Sequence, residues 1–438
     1  PMYAPENPVL AGMEYESLSV KQWWSMRDLI ENTEISNVPD KNLLKLLEDK
    51  LEEAVKIQSL SDVPLGTFLS GGIDSSLIAA LLQKQSSKSI ITFTIGFDEI
   101  GFNEAPFAKA VAEHIGSEHH EERVDPIQVR DVIPNLPHIY DEPFADSSQI
   151  PTYLVCREAR KHVTVALSGD AGDEHFGGYN RYFWGPRLWS IVGTLPYSVR
   201  QSLSEVLRRV PFKSLQVFQD IIGIVRPGEK LQKLAIALNE TKNINDLYRN
   251  LTSQWQNPES IVVGENGEVI NEPNNIFDFN SPNQLLNNHQ ASMMYKDTIS
   301  YLPDDILCKV DRAAMSNSLE TRAPFLDHRV VEMAWNMPMH MKIRGQESKW
   351  ALRQILYKYV PPELVNRPKA GFAIPLDQWL TTSLKDWAED LLDEKKLKEQ
   401  GFLNYSTIRK AWLEHQKGRR NNTEKLWSIL MFQAWLQN

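Results

Sequence analysis

The sequence contains very little cysteine: only Cys156 and Cys308 occur among its 438 residues. Two cysteines so far apart give neither a disulfide framework nor a Cys-x-x-Cys zinc or redox motif. This scarcity is typical of a protein of the reducing cytoplasm, which is the location we expect. The sequence also has no apolar run of about 18 residues, so it predicts no membrane-spanning helix.

An excess of basic residues is also missing. The 47 Lys and Arg residues are outnumbered by 57 Asp and Glu residues, which gives a net charge of -10. An acidic chain is poorly suited to a nucleic-acid surface, so we expect a small-molecule substrate and no nucleic-acid partner. The chain has no His-Glu-x-x-His, Gly-x-Ser-x-Gly or Gly-x-Gly-x-x-Gly motif, which disfavours a zinc peptidase, a serine hydrolase and a dinucleotide-binding dehydrogenase.

The most informative stretch that is present is Ser-Gly-Gly-Ile-Asp-Ser-Ser, at residues 70–76. Strand-forming residues precede it and helix-forming residues follow, which predicts a strand, a glycine turn and the first turn of a helix. Free N–H groups at a helix start attract an anion. No lysine follows the glycines, so this is not a Walker A loop, but its serines and Asp74 suit pyrophosphate and magnesium. An ordinary turn is the alternative for the two glycines alone, but the whole stretch favours a phosphate cradle.

Predicted strands and helices alternate over the first part of the chain. Apolar or strand-forming runs occupy residues 63–69, 90–97, 118–124 and 163–167, with helical patterns between them. This alternation predicts an α/β fold with a parallel sheet. From about residue 186 we find no strong strand signals, so we expect an α/β core at about 60–185 and a helical part at about 186–438.

Acidic loops follow the predicted strands. Residues 168–179 carry Asp170 and Asp173 in a glycine-rich turn after a buried strand. Because the carboxyl ends of parallel strands meet at one edge of a sheet, Asp173 and Asp74 are expected to form a magnesium-binding pair. A solvated acidic turn is the alternative. The loop at 140–148 is equally consistent with a substrate role and with a helix end broken by proline.

Two lysines are candidates for phosphate chemistry. Lys349 lies at the start of a predicted helix, and Lys369 lies in a loop bounded by Pro368 and Gly371. A cationic loop can stabilise the charge of a leaving pyrophosphate. A lone lysine is more often a solvated surface charge. For Arg312 and Arg322, buried ion pairs that serve the architecture alone are an equal alternative.

Five runs together resemble the synthetase domain of the glutamine-hydrolysing asparagine synthetase family. They are VPLGTFLSGGIDSS (63–76), YDEPFADSS (140–148), LSGDAGDEHFGGY (167–179), LPDDILCKVDRAAMSNSLETRAPFLD (302–327) and RPKAGFAIP (367–375). The resemblance spans roughly residues 40–438. It implies an ATP pyrophosphatase core of the α/β, adenine nucleotide α-hydrolase-like type, with an all-helical C-terminal part. It also implies that ATP and Mg²⁺ adenylate a carboxylate, and that ammonia then displaces AMP to give an amide.

The resemblance further implies roles for individual residues. Those expected to bind ATP and pyrophosphate are Leu69, Ser70, Gly71, Gly72, Asp74, Ser75, Ser76, Ile95, Ser168 and Gly169. Asp74 and Asp173 are expected to bind the metal. The expected catalytic residues are Asp170, Lys349 and Lys369.

The sequence departs from the family pattern at its start. Family members usually begin with a glutaminase domain that has an N-terminal cysteine, whereas this chain begins with Pro1. We therefore expect residues 1–35 to be the tail of a missing glutaminase domain with its linker, and residues 36–438 to be the synthetase-type domain. Ammonia then comes from a missing domain, a partner subunit or free ammonium. A homodimer is also compatible with the resemblance.

A second departure concerns the acceptor. Asp170 stands where many dedicated asparagine synthetases carry glutamate. We favour the side chain of L-aspartate as the acceptor, and a sugar uronate of polysaccharide biosynthesis is the alternative. A tRNA thiolation enzyme is disfavoured by the acidic composition. A catalytically silent subunit is disfavoured because the candidate site residues are intact.

Overall fold

A computed structural model of the chain describes residues 21–97, 103–208, 235, 238, 241–264, 282, 288–367 and 374–437. Within these residues a parallel five-stranded sheet is formed by β1 (Leu65–Phe68), β2 (Ile91–Phe97), β3 (Glu118–Val124), β4 (Val165–Leu167) and β5 (Glu320–Arg322). The strand order is β3-β2-β1-β4-β5. The order reverses between β1 and β4, which is where open parallel sheets form a ligand crevice.

The central strand β1 fixes the register of the sheet. Gly66 pairs with Ile91 of β2 on one side and with Ala166 of β4 on the other. Neighbouring residues on a strand point to opposite faces. Accordingly, the buried side chain of Ala166 belongs to one apolar core and that of Leu167 to a second core. Helices therefore cover both faces of the sheet, as a parallel sheet requires.

Most of the remaining described chain is helical. The helices of the first half are Met26–Asn32, Asp40–Gln58, Ile73–Gln85, Ala105–Ile115, Pro126–Val132, Leu136–Tyr140, Gln149–Arg160, Gly172–Phe176, Asn180–Val192 and Tyr197–Arg208. Those of the second half are Ile244–Thr252, His289–Ile299, Cys308–Met315, His328–Asn336, Met339–Lys342, Trp350–Leu356, Pro362–Val365, Leu376–Thr381, Lys385–Leu391, Glu394–Gln400, Tyr405–Gln416 and Thr423–Leu436. Short helical turns occur at Ile133–Asn135, Pro258–Ser260, Leu302–Leu307 and Pro324–Leu326. In the part of the chain described, no helix combines the length and the apolar character needed to cross a membrane.

The predicted fold class is confirmed: a parallel-sheet core is followed by a mostly helical C-terminal part. One strand was missed, because β5 lies far beyond residue 186 and joins the sheet next to β4. Its three residues, Glu-Thr-Arg, are polar and at least partly exposed, so they carry no apolar strand pattern. An antiparallel hairpin of β6 (Ile343–Arg344) and β7 (Glu347–Ser348) also lies in this part.

Candidate active site

A cavity of about 1080 Å³ lies at the carboxyl ends of the central strands. Many of the predicted site residues line it: Leu69, Ser70, Gly72, Asp74, Ser75, Ile95, Ser168, Gly169, Asp170, Asp173 and Lys349. Gly71 and Ser76 belong to the same loop and helix, and the Ser76 side chain is buried. Lys369 lies outside the described residues. Because the carboxyl ends of parallel strands meet at one edge of the sheet, residues that are distant in the sequence line the same cavity.

The glycine turn after β1 is held in shape by its own serines. The backbone N–H of Ser70 donates to Ser75 Oγ at 3.1 Å, and the two serine hydroxyl oxygens lie 2.9 Å apart. Gly71 has a φ of +73°, and a Cβ there would lie 2.8 Å from backbone atoms of Phe107 and Ala108. The helix Ile73–Gln85 is capped by Gly72, which has no side chain to bond its first turn, and a helix start attracts an anion.

The loop after β4 packs directly against this turn. A Cβ on Gly169 would lie 2.8 Å from the backbone nitrogen of Ser75, and a Cβ on Gly172 would lie 2.6 Å from Oδ1 of Asp74. The backbone N–H of Ser168 donates to the Arg322 carbonyl oxygen at 2.8 Å, so the missed strand β5 orients the start of this loop. Absence of side chains at the two glycines is what lets the two loops form one wall.

Lys349 joins the two predicted metal-binding aspartates. Its Nζ lies 2.7 Å from Oδ1 of Asp173 and also contacts Oδ2 of Asp74. Burial alone would lower the pKa of Lys349, but the charges of Asp173 and Asp74 outweigh it and hold that pKa above its ordinary value. Lys349 caps the helix Trp350–Leu356 with a φ of 54°, which is a costly conformation for a residue that is not glycine. Strain of this kind is concentrated at functional sites.

Asp170 lies in the same cavity, beside a second charged cluster. Burial raises the pKa of Asp170, while hydrogen bonding to Ser168 and the charge of Lys309 offset only part of this effect. A raised pKa makes a carboxylate a stronger base, which is the property that a proton acceptor needs. The acid–base role of Asp170 stays a prediction.

The second cluster was missed as a unit from the sequence. Lys309 Nζ donates to Asp146 Oδ2 at 2.6 Å and to Ser148 Oγ at 2.7 Å, and it lies 3.9 Å from Asp305 Oδ1. Burial opposes ionisation of Asp146, but the charge of Lys309 lowers the pKa of Asp146 to about 2. Burial and the charge of Asp146 raise the pKa of Asp305 to about 8.

The sequence offered only a partial signal for this cluster. Lys309 lies among apolar residues at helical spacing, which indicates a charge carried inward on a buried helix. Nothing in the sequence indicated that the partner of Lys309 would be Asp146, which lies more distant in the sequence, in the loop at 140–148. By contrast, Arg312 pairs with Asp141 at the surface, and Arg322 binds Glu320 and two backbone carbonyl oxygens, so neither contacts the pocket cluster.

A model of one protein family, described as asparagine synthase, matches residues 46–437. The chain belongs to the asparagine synthase family. The match includes the glycine turn, the loop after β4, Lys309, Lys349 and Lys369. The resemblance stated from the sequence is therefore confirmed.

Individual relatives agree with this membership. The asparagine synthetase [glutamine-hydrolyzing] 1 of Bacillus subtilis (strain 168) is 32% identical over 403 residues, covering 90% of this chain and 59% of the relative. The asparagine synthetase [glutamine-hydrolyzing] 3 of the same organism is 24% identical over 400 residues, covering 87% of this chain and 55% of the relative. The amidase chyE of Penicillium rubens is 24% identical over 404 residues, covering 85% of this chain and 58% of the relative. The chain thus spans between one half and two thirds of the length of these asparagine synthase relatives.

Proposed function

We propose that this protein is an ATP-dependent amide-forming ligase. A carboxylate oxygen of the acceptor attacks the α-phosphorus of ATP, and pyrophosphate leaves. Ammonia then attacks the acyl carbon, AMP leaves, and the surplus proton passes to a base. The observation that carries this proposal is that the glycine turn and the bridge of Lys349, Asp74 and Asp173 line one cavity.

The cradle supports the choice of pyrophosphate as the leaving group. Serine hydroxyls and the helix start at Gly72 provide donors for phosphate oxygens. Asp170 is proposed as the group that accepts a proton during attack by ammonia, which follows from its place in the cavity and its raised pKa. Lys369 is proposed to contact the nucleotide on the basis of family membership alone.

The residues present suit a magnesium ion. Asp74 and Asp173 already converge on one cation, the ammonium of Lys349, and both offer hard oxygen ligands. Among the described residues no group of three His, Cys, Asp or Glu side chains could hold a metal. Magnesium fits this donor set because it commonly takes one or two carboxylates and completes its shell with phosphate oxygens and water. When bound, it would neutralise charge on the leaving pyrophosphate.

The ammonia source is proposed to lie outside the residues of this chain. Both cysteines are unsuitable as glutaminase nucleophiles, because a thiol must ionise to attack. Burial raises the pKa of the Cys156 thiol far above its ordinary value, and burial together with Glu142 raises the pKa of Cys308 to about 11. We propose a glutaminase domain or subunit as the natural source, as the names of the relatives suggest.

L-Aspartate remains the favoured acceptor. Lys309 and Asp146 present opposite charges side by side at the cavity wall. An amino acid carries an ammonium and a carboxylate close together and can match both charges, whereas a uronate offers only the carboxylate. This pairing favours aspartate over a sugar uronate.

The test is a screen of pyrophosphate release with ATP, Mg²⁺, ammonium and a panel of carboxylates. We expect the chain to release pyrophosphate and AMP with one acceptor. We expect Asp74→Asn to lose this release. Formation of ADP and orthophosphate would contradict the proposal. Preference for a uronate over aspartate would keep the reaction class and replace the acceptor.

A further inference from the structure

The side chain of Arg367 lies at the edge of the glycine turn and lines the same cavity. Its Nη2 donates to the carbonyl oxygen of Ser70 at 3.1 Å and to Oε1 of Glu104 at 2.9 Å. The guanidinium carbon lies 4.3 Å from the centre of the Phe107 ring, over which it is placed. Three different contacts therefore fix the position and the plane of this cation beside the cradle.

Several donors of Arg367 are not used by these contacts. Arginine has five N–H groups, and the two on Nη2 are taken by Ser70 and Glu104. Nε is buried without a hydrogen-bond partner among the residues described, and no described residue accepts a hydrogen bond from Nη1. Because Nε has almost no surface open to a ligand, the two N–H groups of Nη1 are the donors left for an anion, which forms charge-assisted hydrogen bonds with them.

The two lysines that line the cavity are more fully engaged. Lys349 is shared by two carboxylates, and Lys309 is held by Asp146 and Ser148. Arg367 instead faces a single carboxylate and touches the backbone of the cradle itself. A polyphosphate seated on the glycine turn would therefore lie beside a cation whose Nη1 donors are unused.

We propose that Arg367 is a further phosphate-binding residue of this site, donating from Nη1 to phosphate oxygens of ATP and of the leaving pyrophosphate. Glu104 and Phe107 serve as its supports: the carboxylate anchors Nη2, and the ring holds the guanidinium plane. This inference rests on the proposed function, because it needs a polyphosphate in the cradle.

The first test measures binding of inorganic pyrophosphate, with Mg²⁺, to the 438-residue chain by titration calorimetry. Arg367→Gln should weaken pyrophosphate binding by about tenfold or more, as expected for the loss of charge-assisted hydrogen bonds. Binding of adenosine, which has no phosphate, should be unchanged. Arg409→Gln is the matched control, because Arg409 also pairs with a glutamate, at 2.6 Å, and is similarly buried but does not line the cavity.

A second variant separates ligand binding from a structural ion pair. Glu104→Gln removes the competing negative charge but keeps an oxygen that can accept from Nη2. If Arg367 binds phosphate, pyrophosphate binding by Glu104→Gln should be equal to that of the wild type or tighter. If the pair only holds the fold together, both substitutions should weaken pyrophosphate and adenosine binding alike.

The outcomes distinguish this inference from the proposed function. Wild-type binding of pyrophosphate, with tenfold loss in Arg367→Gln and none in Glu104→Gln, supports the inference. Unchanged pyrophosphate binding in Arg367→Gln overturns it and leaves the proposed function in place, as does parallel loss of adenosine binding in both variants. Failure of the wild-type chain to bind pyrophosphate overturns both.

Discussion

The ammonium group of Lys349 lies 2.7 Å from a carboxylate oxygen of Asp173 and also contacts Asp74. The lysine thus occupies the place between two carboxylates where a divalent cation is proposed to bind. Lysine and magnesium compete for the same oxygen atoms in this arrangement. We therefore expect metal binding to be coupled to movement of Lys349 towards the phosphates, whose negative charge attracts its ammonium group.

Lys349→Met should make the magnesium site tighter in the absence of nucleotide. The substitution removes the competing ammonium, so added MgCl₂ should raise the melting temperature of this variant more than that of the wild type. Lys358→Met is the control, because Lys358 pairs with Glu48 at 2.7 Å away from the two aspartates. An equal magnesium response in all three proteins, or a response that survives Asp173→Asn in the Lys349→Met background, would count against the metal pair.

Gly178→Ala should nearly abolish pyrophosphate release. A Cβ at this position would overlap both Asp173 and Lys349, so one of them has to leave its place. Gly401→Ala is the control: it has a positive φ of 74° but no atom within 4 Å of the new Cβ, so it tests backbone strain without site disruption. Wild-type turnover in Gly178→Ala would show that the observed position of Asp173 is not required.

Asp170→Asn should slow amide formation by roughly a hundredfold, which is typical of losing one positioned acid–base group. ATP binding should change little. Because burial raises the pKa of Asp170, the wild-type rate of amide formation should begin to fall, as the pH is lowered, at a pH above the ordinary pKa of aspartate. A variant that keeps the wild-type rate of amide formation would reduce Asp170 to a structural turn residue.

The purified 438-residue chain should use ammonium and not glutamine. Neither cysteine has an activated thiol, so no residue is available to attack glutamine in the usual way. The measurement is glutamate formation from glutamine beside amide formation from ammonium chloride. Glutamate production by this chain alone would refute the prediction.

Asp146→Asn should destabilise the protein by about 3 kcal/mol, since it takes the nearest carboxylate away from the buried charge of Lys309. Asp141→Asn is a closely matched control. Asp141 pairs with Arg312 at 2.6 Å, the same distance as between Asp146 and Lys309, and Arg312 lies on the same helix as Lys309. Both side chains of the Asp141–Arg312 pair are exposed. Its loss should cost less than about 1 kcal/mol. Equal losses in denaturant melts would contradict the assignment of the buried pair.

The effect of Asp146 should also depend on pH. The folded-state pKa of Asp146 is lowered to about 2, below the unfolded value near 3.9, so its contribution to stability is complete above about pH 5 and is lost as the pH falls through 2. Wild type and Asp146→Asn should therefore converge in acid. A difference that persists unchanged to pH 2 would exclude this ionisation as its source.

The sequence was sufficient wherever the signal is local. Residues 70–76 predicted a strand, turn and helix start, and β1 and the helix Ile73–Gln85 flank that turn. Apolar residues at helical spacing are a local signal of the same kind, and Leu43, Leu47 and Leu51 are buried on the helix Asp40–Gln58. The pairing of Lys309 with Asp146 was not predictable, because charge partners on distant segments leave no periodic pattern. Strand β5 was missed for a related reason: its pairing with β4 depends on backbone groups, which every residue type provides.

The late position of β5 has a consequence for the synthesis of the protein. Strand β4 emerges from the ribosome well before Glu320–Arg322, which pairs with it in the finished sheet. Until then, one edge of β4 presents unpaired N–H and C=O groups, which can form hydrogen bonds with other nascent chains. At roughly 5–20 residues per second, the intervening stretch of about 150 residues takes on the order of ten seconds to translate. Ribosome-bound chains halted within that interval are therefore the form of this protein that we expect to depend most on chaperones.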